Sequence, residues 1–338
     1  MTAAVGVALI GTGAWGRRLA AAVARTPTLH LVTCYSRNQK RREDFAAEVG
    51  CAAAPSFDAA IGRDDVEAVL LVTPNYVHAE QAVACAVRHR HIFVEKPIAD
   101  SLKDGTTMAA AAQAADVVLM IGHGLRRLGA ARRMKELLQE GALGTVVLAE
   151  AGFSLPATLT PDSWRYYRHS CPGGPLLQLG VHHADTLQYL LGPAVRVSGS
   201  FARLVTAAEI DDVAVAVVEF GSGARAVLTS SYVSPKTYFL RLYGTTGVLD
   251  YRTDMTVWPQ SEYMDAATTL LLHTRAGTDA VAFTRVDPLV EELEEFARCV
   301  RGSARPETGA VEGLAALRVV LAAVESHTRG APVSLDVR

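Results

Sequence analysis

The sequence predicts an α/β protein: an N-terminal doubly wound parallel sheet, followed by an α+β domain with a large, mostly antiparallel open sheet. Three observations carry this reading. Short apolar runs alternate with amphipathic stretches through roughly the first 120 residues, the order of βαβ units. The first apolar run ends in a glycine-rich turn that opens a helix, at Gly11 to Gly16. After about Leu125 the period changes to consecutive β-rich runs joined by short glycine-containing turns. The expected boundary separates residues 1–124 from 125–338.

In the first part, strands are expected at Val5–Ile10, Leu29–Tyr35, Ala68–Val72, His91–Val94 and Val117–Ile121. Helical patterns fill the gaps at Trp15–Arg25, Gln39–Val49, His78–Arg88 and Leu102–Ala115, the last opened by Ser101 with Asp104 three residues on, close to a capping box. The second part begins with a helix at Ala130–Gln139, a strand at Thr145–Phe153, a loop rich in Pro and Gly, and a helix from about Leu176 to Leu191. Beta-rich runs follow at Val195–Val205, Asp212–Phe220, Ala224–Tyr232, Tyr238–Tyr243 and Val248–Tyr251. Two closing helices, Pro288–Arg301 and Ala310–Arg329, are expected to cover one face of that sheet, leaving the other for a second copy of the chain.

Composition narrows the function classes. At 338 residues the chain is long enough for two domains at roughly 150 residues each. Lys+Arg 33 against Asp+Glu 35 gives a formal net charge of -2, so no global positive field exists to bind a nucleic-acid backbone. The cysteines, Cys34, Cys51, Cys85, Cys171 and Cys299, are odd in number and far apart, and read as buried thiols of a reducing, cytoplasmic compartment. The start MTAAVGVALIGTGAWG lacks a basic leader and reads as a first strand, and no 18-residue apolar run suggests a membrane span.

The run Gly11-Thr12-Gly13-Ala14-Trp15-Gly16 is a GxGxxG between a strand and a helix. Its glycines allow a tight turn, close approach of a pyrophosphate to the backbone, and close packing of helix on strand. A dinucleotide site is expected. After the second strand, where an acid would bind the adenosine ribose of NAD, the chain reads Cys34-Tyr35-Ser36-Arg37-Asn38-Gln39-Lys40-Arg41-Arg42. No carboxylate is present, and Ser36, Arg37 and Lys40 or Arg41 suit a 2′-phosphate, so NADP(H) is favoured over NAD(H). Two further motifs fall at strand ends: Thr73-Pro74-Asn75-Tyr76-Val77-His78, and Glu95-Lys96-Pro97. A lysine in that crevice could handle a hydroxyl proton.

These motifs, with Gly122-His123 and the stretch Gly173-Gly174-Pro175-Leu176-Leu177-Gln178-Leu179-Gly180-Val181-His182-His183-Ala184-Asp185, resemble the Gfo/Idh/MocA oxidoreductases over essentially the whole chain. The resemblance implies an N-terminal Rossmann domain and a C-terminal α/β domain with a large open sheet. It implies NAD(P)-dependent oxidation or reduction of sugars, cyclitols or related polyols, and dimers or tetramers formed through the sheet. Lys96 matches the family's catalytic lysine, Pro97 a proline often cis, and His182 the histidine that works with the lysine. Many relatives carry Asp four residues before that histidine; here the position is Gln178, which cannot accept a proton or supply charge.

Adjacent His182 and His183 diverge by about 100° on a helix, so at most one faces a given site, and no metal is expected. Trp164, Arg165, His123 and Arg126 are candidate substrate contacts, with Arg126 and Arg165 equally readable as partners in interdomain ion pairs. Two alternatives to a sugar oxidoreductase are a dihydrodiol dehydrogenase and a dinucleotide-sensing regulator without catalysis; the presence of both Lys96 and His182 argues against the regulator.

Overall fold

The computed structural model describes residues 3–335, and the chain divides into two compact units. One runs to Gly124 and takes in Pro288–Leu314; the other covers Leu125–Asp287 and the chain from Ala315.

The first unit opens with β1 (Val5–Ile10), α1 (Ala14–Ala24), β2 (Leu29–Tyr35) and α2 (Gln39–Val49). It continues through β3 (Ala52–Ala53), α3 (Phe57–Ile61), β4 (Ala68–Leu71), α4 (His78–Val87), β5 (His91–Glu95), α5 (Leu102–Ala114) and β6 (Leu119–Gly122). The strands are all parallel in the order β3-β2-β1-β4-β5-β6. Strand order reverses between β1 and β4, the switch point at which such sheets bind ligands beyond their carboxyl ends. Every residue of β1, β4 and β6 is buried, as a sheet covered on both faces requires. Ser101 accepts the Asp104 N–H at 3.1 Å and starts α5, matching its sequence spacing. The short β3 and α3 carry too few residues to show a period and were not anticipated.

The second unit holds α6 (Gly129–Gln139), β7 (Val146–Ser154), α7 (Val181–Leu191), β8 (Ala194–Ala202), β9 (Val213–Phe220), β10 (Arg225–Ser231), β11 (Thr237–Gly244), β12 (Gly247–Thr253), β13 (Thr268–Thr274) and β14 (Gly277–Ala280). With β15 (Val333–Ser334) they form a nine-stranded sheet in the order β14-β13-β12-β11-β7-β10-β9-β8-β15. It is mostly antiparallel; β7 runs parallel to β10, which makes it mixed. β13 and β14 extend it beyond the runs expected from sequence. Along β9, Ala214, Ala216, Val218 and Phe220 are buried while Val217 is 40% exposed, so one face is covered and the other is open along this strand.

The helix α8 (Pro288–Val300) corrects an expectation. It does not cover the antiparallel sheet; Leu289, Leu293, Phe296 and Ala297 join the first unit's core with Val5, Leu9, Leu19, Phe45, Phe93 and Met120. The reason is apolar matching: Phe296 meets Phe93 edge-on at 5.7 Å, and a two-faced parallel sheet needs this cover more than a sheet with one solvated face does. Thr308 Oγ1 donates to the Ile121 carbonyl at 2.7 Å and holds the following segment to β6. The last helix, α9 (Ala310–Arg329), starts in the first unit and continues in the second, where a Cβ on Gly199 of β8 would stand 2.1 Å from the Ala323 carbonyl oxygen. Among the described residues no helix is long and apolar enough to cross a membrane.

Phe296→Ala should therefore destabilise the first unit by about 3–5 kcal/mol, the range for truncating a buried aromatic. Denaturant unfolding followed by tryptophan fluorescence, Trp15 being in this unit, measures it.

Candidate functional site

On the first unit, β1 leads into a turn shaped by two contacts. Gly11 has φ +110° and a Cβ there would lie 2.5 Å from the Val72 carbonyl oxygen; one on Gly16 would lie 2.1 Å from the Gly11 carbonyl oxygen. Any side chain would push α1 off β1 or break the turn. Gly13 differs: its Cβ would meet nothing within 4 Å. It caps α1 without a side-chain hydrogen bond, and the helix has no acidic residue in its first turn. An open cradle and uncapped N–H groups fit a pyrophosphate. Ala14 is exposed and Trp15 half-buried beside them.

At the end of β2, Thr12 Oγ1 donates to Ser36 Oγ at 2.8 Å. Asn38 accepts the Arg41 N–H and starts α2. Lys40 is engaged by Asp44 at 3.0 Å, whereas the side chains of Arg37 and Arg41 are exposed with no hydrogen bond or ion pair among the described residues. Sequence reasoning missed Arg42, which donates from Nη1 to the Ser36 carbonyl at 2.8 Å. The signal was there: Arg42, Phe45 and Ala46 are spaced as the buried face of α2.

Beyond β4, Thr73 Oγ1 donates to Gln81 Oε1 at 2.7 Å, Pro74 is half-buried, and Asn75 is buried with Nδ2 lacking a hydrogen-bond partner among the described residues. An orphaned buried donor at the carboxyl edge of the sheet fits a polar ligand there. His78 is fully buried, with Nε2 2.9 Å from the Thr73 carbonyl and Nδ1 3.2 Å from those of Pro97 and Ile98. Both ring nitrogens therefore face backbone, and the ring ties the Thr73 loop to the segment bearing Lys96. Burial lowers its pKa.

After β5, Glu95 is buried and Lys96 half-buried, and the Lys96–Pro97 peptide is cis. Burial pushes the Glu95 carboxyl up to about 7, opposed by the Trp15 indole N–H and the charges of Lys96 and Arg18. His123, 1% exposed, follows β6, its N–H bonded to the Ile121 carbonyl at 2.8 Å.

On the second unit, residues Leu176–Gly180 form a π-helical turn that runs into α7. Such wide turns recur at functional sites. Gln178 lies in this turn and His182 four residues on, both buried. The His182 ring lies 5.8 Å from Phe153 and 6.2 Å from Trp258, an aromatic surround that periodicity could not reveal because Trp258 sits in a short turn between strands. His183 points elsewhere, stacked on Tyr238 at 4.6 Å, and burial holds its pKa down at about 4. Arg126 resolves as an ion pair inside this unit: Nε donates to Asp185 at 2.7 Å, a second N–H bonds the same carboxylate, and the guanidinium lies over Tyr189. Trp164 is half-buried in a short 3-10 turn, with the exposed Arg165 stacked over its ring at 4.2 Å.

Residues 5–123 match the profile of the oxidoreductase family with an NAD-binding Rossmann fold, and residues 131–250 that of the GFO/IDH/MocA C-terminal domain. A solved oxidoreductase from Desulfitobacterium hafniense, provisionally described as NADPH-dependent, is 38% identical, with a TM-score of 0.95 over 99% of this chain and 98% of its own. The 1,5-anhydro-D-fructose reductase of Ensifer adhaerens is 28% identical over 97% of this chain and 98% of that protein. D-xylose 1-dehydrogenase (NADP(+)) 2 of Haloferax volcanii is 28% identical over 97% and 99%. With its parallel Rossmann sheet, its large mixed sheet and both family profiles in order, this chain belongs to the GFO/IDH/MocA oxidoreductase family.

Proposed function

We propose that this chain is an NADP(H)-dependent oxidoreductase acting at a hydroxyl-bearing or carbonyl carbon of a sugar, cyclitol or glycoside. The observation that carries the cofactor choice is the end of β2, where Arg37 and Arg41 are exposed and unpaired, Ser36 presents a hydroxyl, and no carboxylate occurs from Cys34 to Arg42. The sugar class is supported by the relatives named for anhydrofructose reduction and xylose dehydrogenation.

Bound NADP(H) supplies the hydride chemistry. The protein's part is to bind, orient and move a proton. Thr12, Gly13, Ala14 and Trp15 receive the pyrophosphate at the amino end of α1; Ser36, Arg37 and Arg41 take the 2′-phosphate. Thr73, Pro74, Asn75, Glu95 and Pro97, at strand ends, line the nicotinamide side. Lys96 exchanges the proton of the reacting oxygen, helped by His182, with Gln178 orienting a substrate oxygen through its amide. Trp164, with the Arg165 guanidinium stacked on it, and His123 are further substrate contacts. The second unit's sheet has a partly open face, on which Val217 of β9 is 40% exposed, which supports assembly into a homodimer or homotetramer.

NADPH should bind about tenfold or more tightly than NADH, a gap of about 1.4 kcal/mol, and Arg37→Asp should reverse the order. Fluorescence titration of both cofactors decides this; tighter NADH binding by the unaltered protein rejects the cofactor choice. Lys96→Met should lower turnover by roughly 10²–10⁴ while cofactor affinity stays within a few fold. A screen of sugars and polyols followed at 340 nm supplies the substrate for that measurement. Gln178→Asp places an anion one turn from the imidazole, so it should raise the pKa in the pH–rate profile. An unchanged profile assigns Gln178 to stability alone.

A further inference from the structure

We infer that Arg42 is the positioning residue that sets selection of a 2′-phosphorylated adenosine, by fixing Ser36 and by leaving a buried positive charge that only such a ligand neutralises. The inference rests on the NADP(H) reading and deepens it.

Arg42 is 8% exposed and lies on the inward face of α2 with Phe45 and Ala46. Its guanidinium sits 5.5 Å from the centre of the Tyr35 ring, so it has an apolar and aromatic bed. One N–H is committed, from Nη1 to the Ser36 carbonyl at 2.8 Å. Its Nε is buried without a hydrogen-bond partner, and among the described residues no carboxylate pairs with it. Other charged residues of α2 do find partners: Lys40 pairs with Asp44, and Glu48 with Arg17 at 2.9 Å. A buried cation lacking a counter-charge is costly, and here two more unpaired arginines, Arg37 and Arg41, flank the same strand end.

Ser36 is held from two sides. Arg42 fixes its carbonyl, and Thr12 donates to its hydroxyl oxygen at 2.8 Å. Because that oxygen accepts from Thr12, the Ser36 hydroxyl hydrogen is free to point to an incoming acceptor. A phosphate oxygen provides one, and its charge answers all three arginines; the neutral ribose hydroxyl of NAD(H) can accept that hydrogen bond but brings no charge. Arg42 thus acts through Ser36 and through its field, without contact to the ligand being needed.

The test uses the full chain and two fragments, 2′,5′-ADP and 5′-AMP, titrated calorimetrically. For Arg42→Met the dissociation constant of 2′,5′-ADP should rise about tenfold or more, with 5′-AMP within about threefold; Arg42→Lys, which keeps the charge and loses the fork, should fall between. Thr12→Val, which removes only the hydroxyl, should also weaken 2′,5′-ADP selectively and stands in if Arg42→Met does not fold. Equal losses on both fragments, or none, overturn the inference and make Arg42 a packing residue. If the unaltered protein shows no preference for 2′,5′-ADP, the NADP(H) reading falls and this inference with it. A preference that survives every variant removes the inference alone.

Discussion

A parallel sheet has two faces to bury, and the first unit is arranged around that requirement. β1, β4 and β6 expose no residue to water, so apolar cover must come from both sides. The chain meets the need by bringing α8 back into the first unit after β7 to β14 of the second sheet, with Phe296 set against Phe93. The strand ends that carry Gly11, Thr73, Glu95 and His123 are fixed only as well as this packing fixes the strands. The same demand explains why a helix that could have shielded the second sheet is not available to it.

Arginine serves two opposed purposes in this chain. Arg126 is buried and compensated: Asp185 takes two of its N–H groups, so the pair holds α7 and brings no net charge. Arg42 is equally buried and uncompensated, and Arg37 and Arg41 stand in water with no partner among the described residues. The first arrangement spends the guanidinium on structure, while the second keeps three positive charges at one strand end. The two neighbouring histidines divide in the same manner. His183 is stacked on Tyr238 and kept neutral by burial, whereas His182 turns to Phe153 and Trp258.

How much could be read without coordinates depended on the range of the interaction. β1, β2 and α2 match their sequence boundaries because local period and caps, Asn38 and Gly50 for α2, determine them. The glycine turn was legible for the same reason. β14, all of whose residues are exposed, has no apolar alternation to announce it, and the placement of α8 is a long-range choice that its own amphipathic pattern cannot encode. Among candidate site residues, Ser36 and Arg37 were visible as missing acids. Arg42 was hidden because a basic residue at a helix start reads as solvated, and only its spacing from Phe45 betrays that it faces inward. His78 looked like part of a ligand loop; its three carbonyl neighbours arise from segments far apart in sequence.

The charge arrangement also constrains proton handling under the proposed reading. The sole carboxylate of α7, Asp185, is neutralised by Arg126, and the position one turn before His182 carries an amide. His182 is buried beside the rings of Phe153 and Trp258. On the first unit the balance is reversed: Glu95 is adjacent in sequence to Lys96, and its buried carboxyl sits near neutrality, opposed in its shift by that lysine's charge. A buried carboxyl raised to about 7 can change protonation around neutral pH, where a general acid or base works. On the proposed reading, Lys96 exchanges its proton next in sequence to this carboxyl.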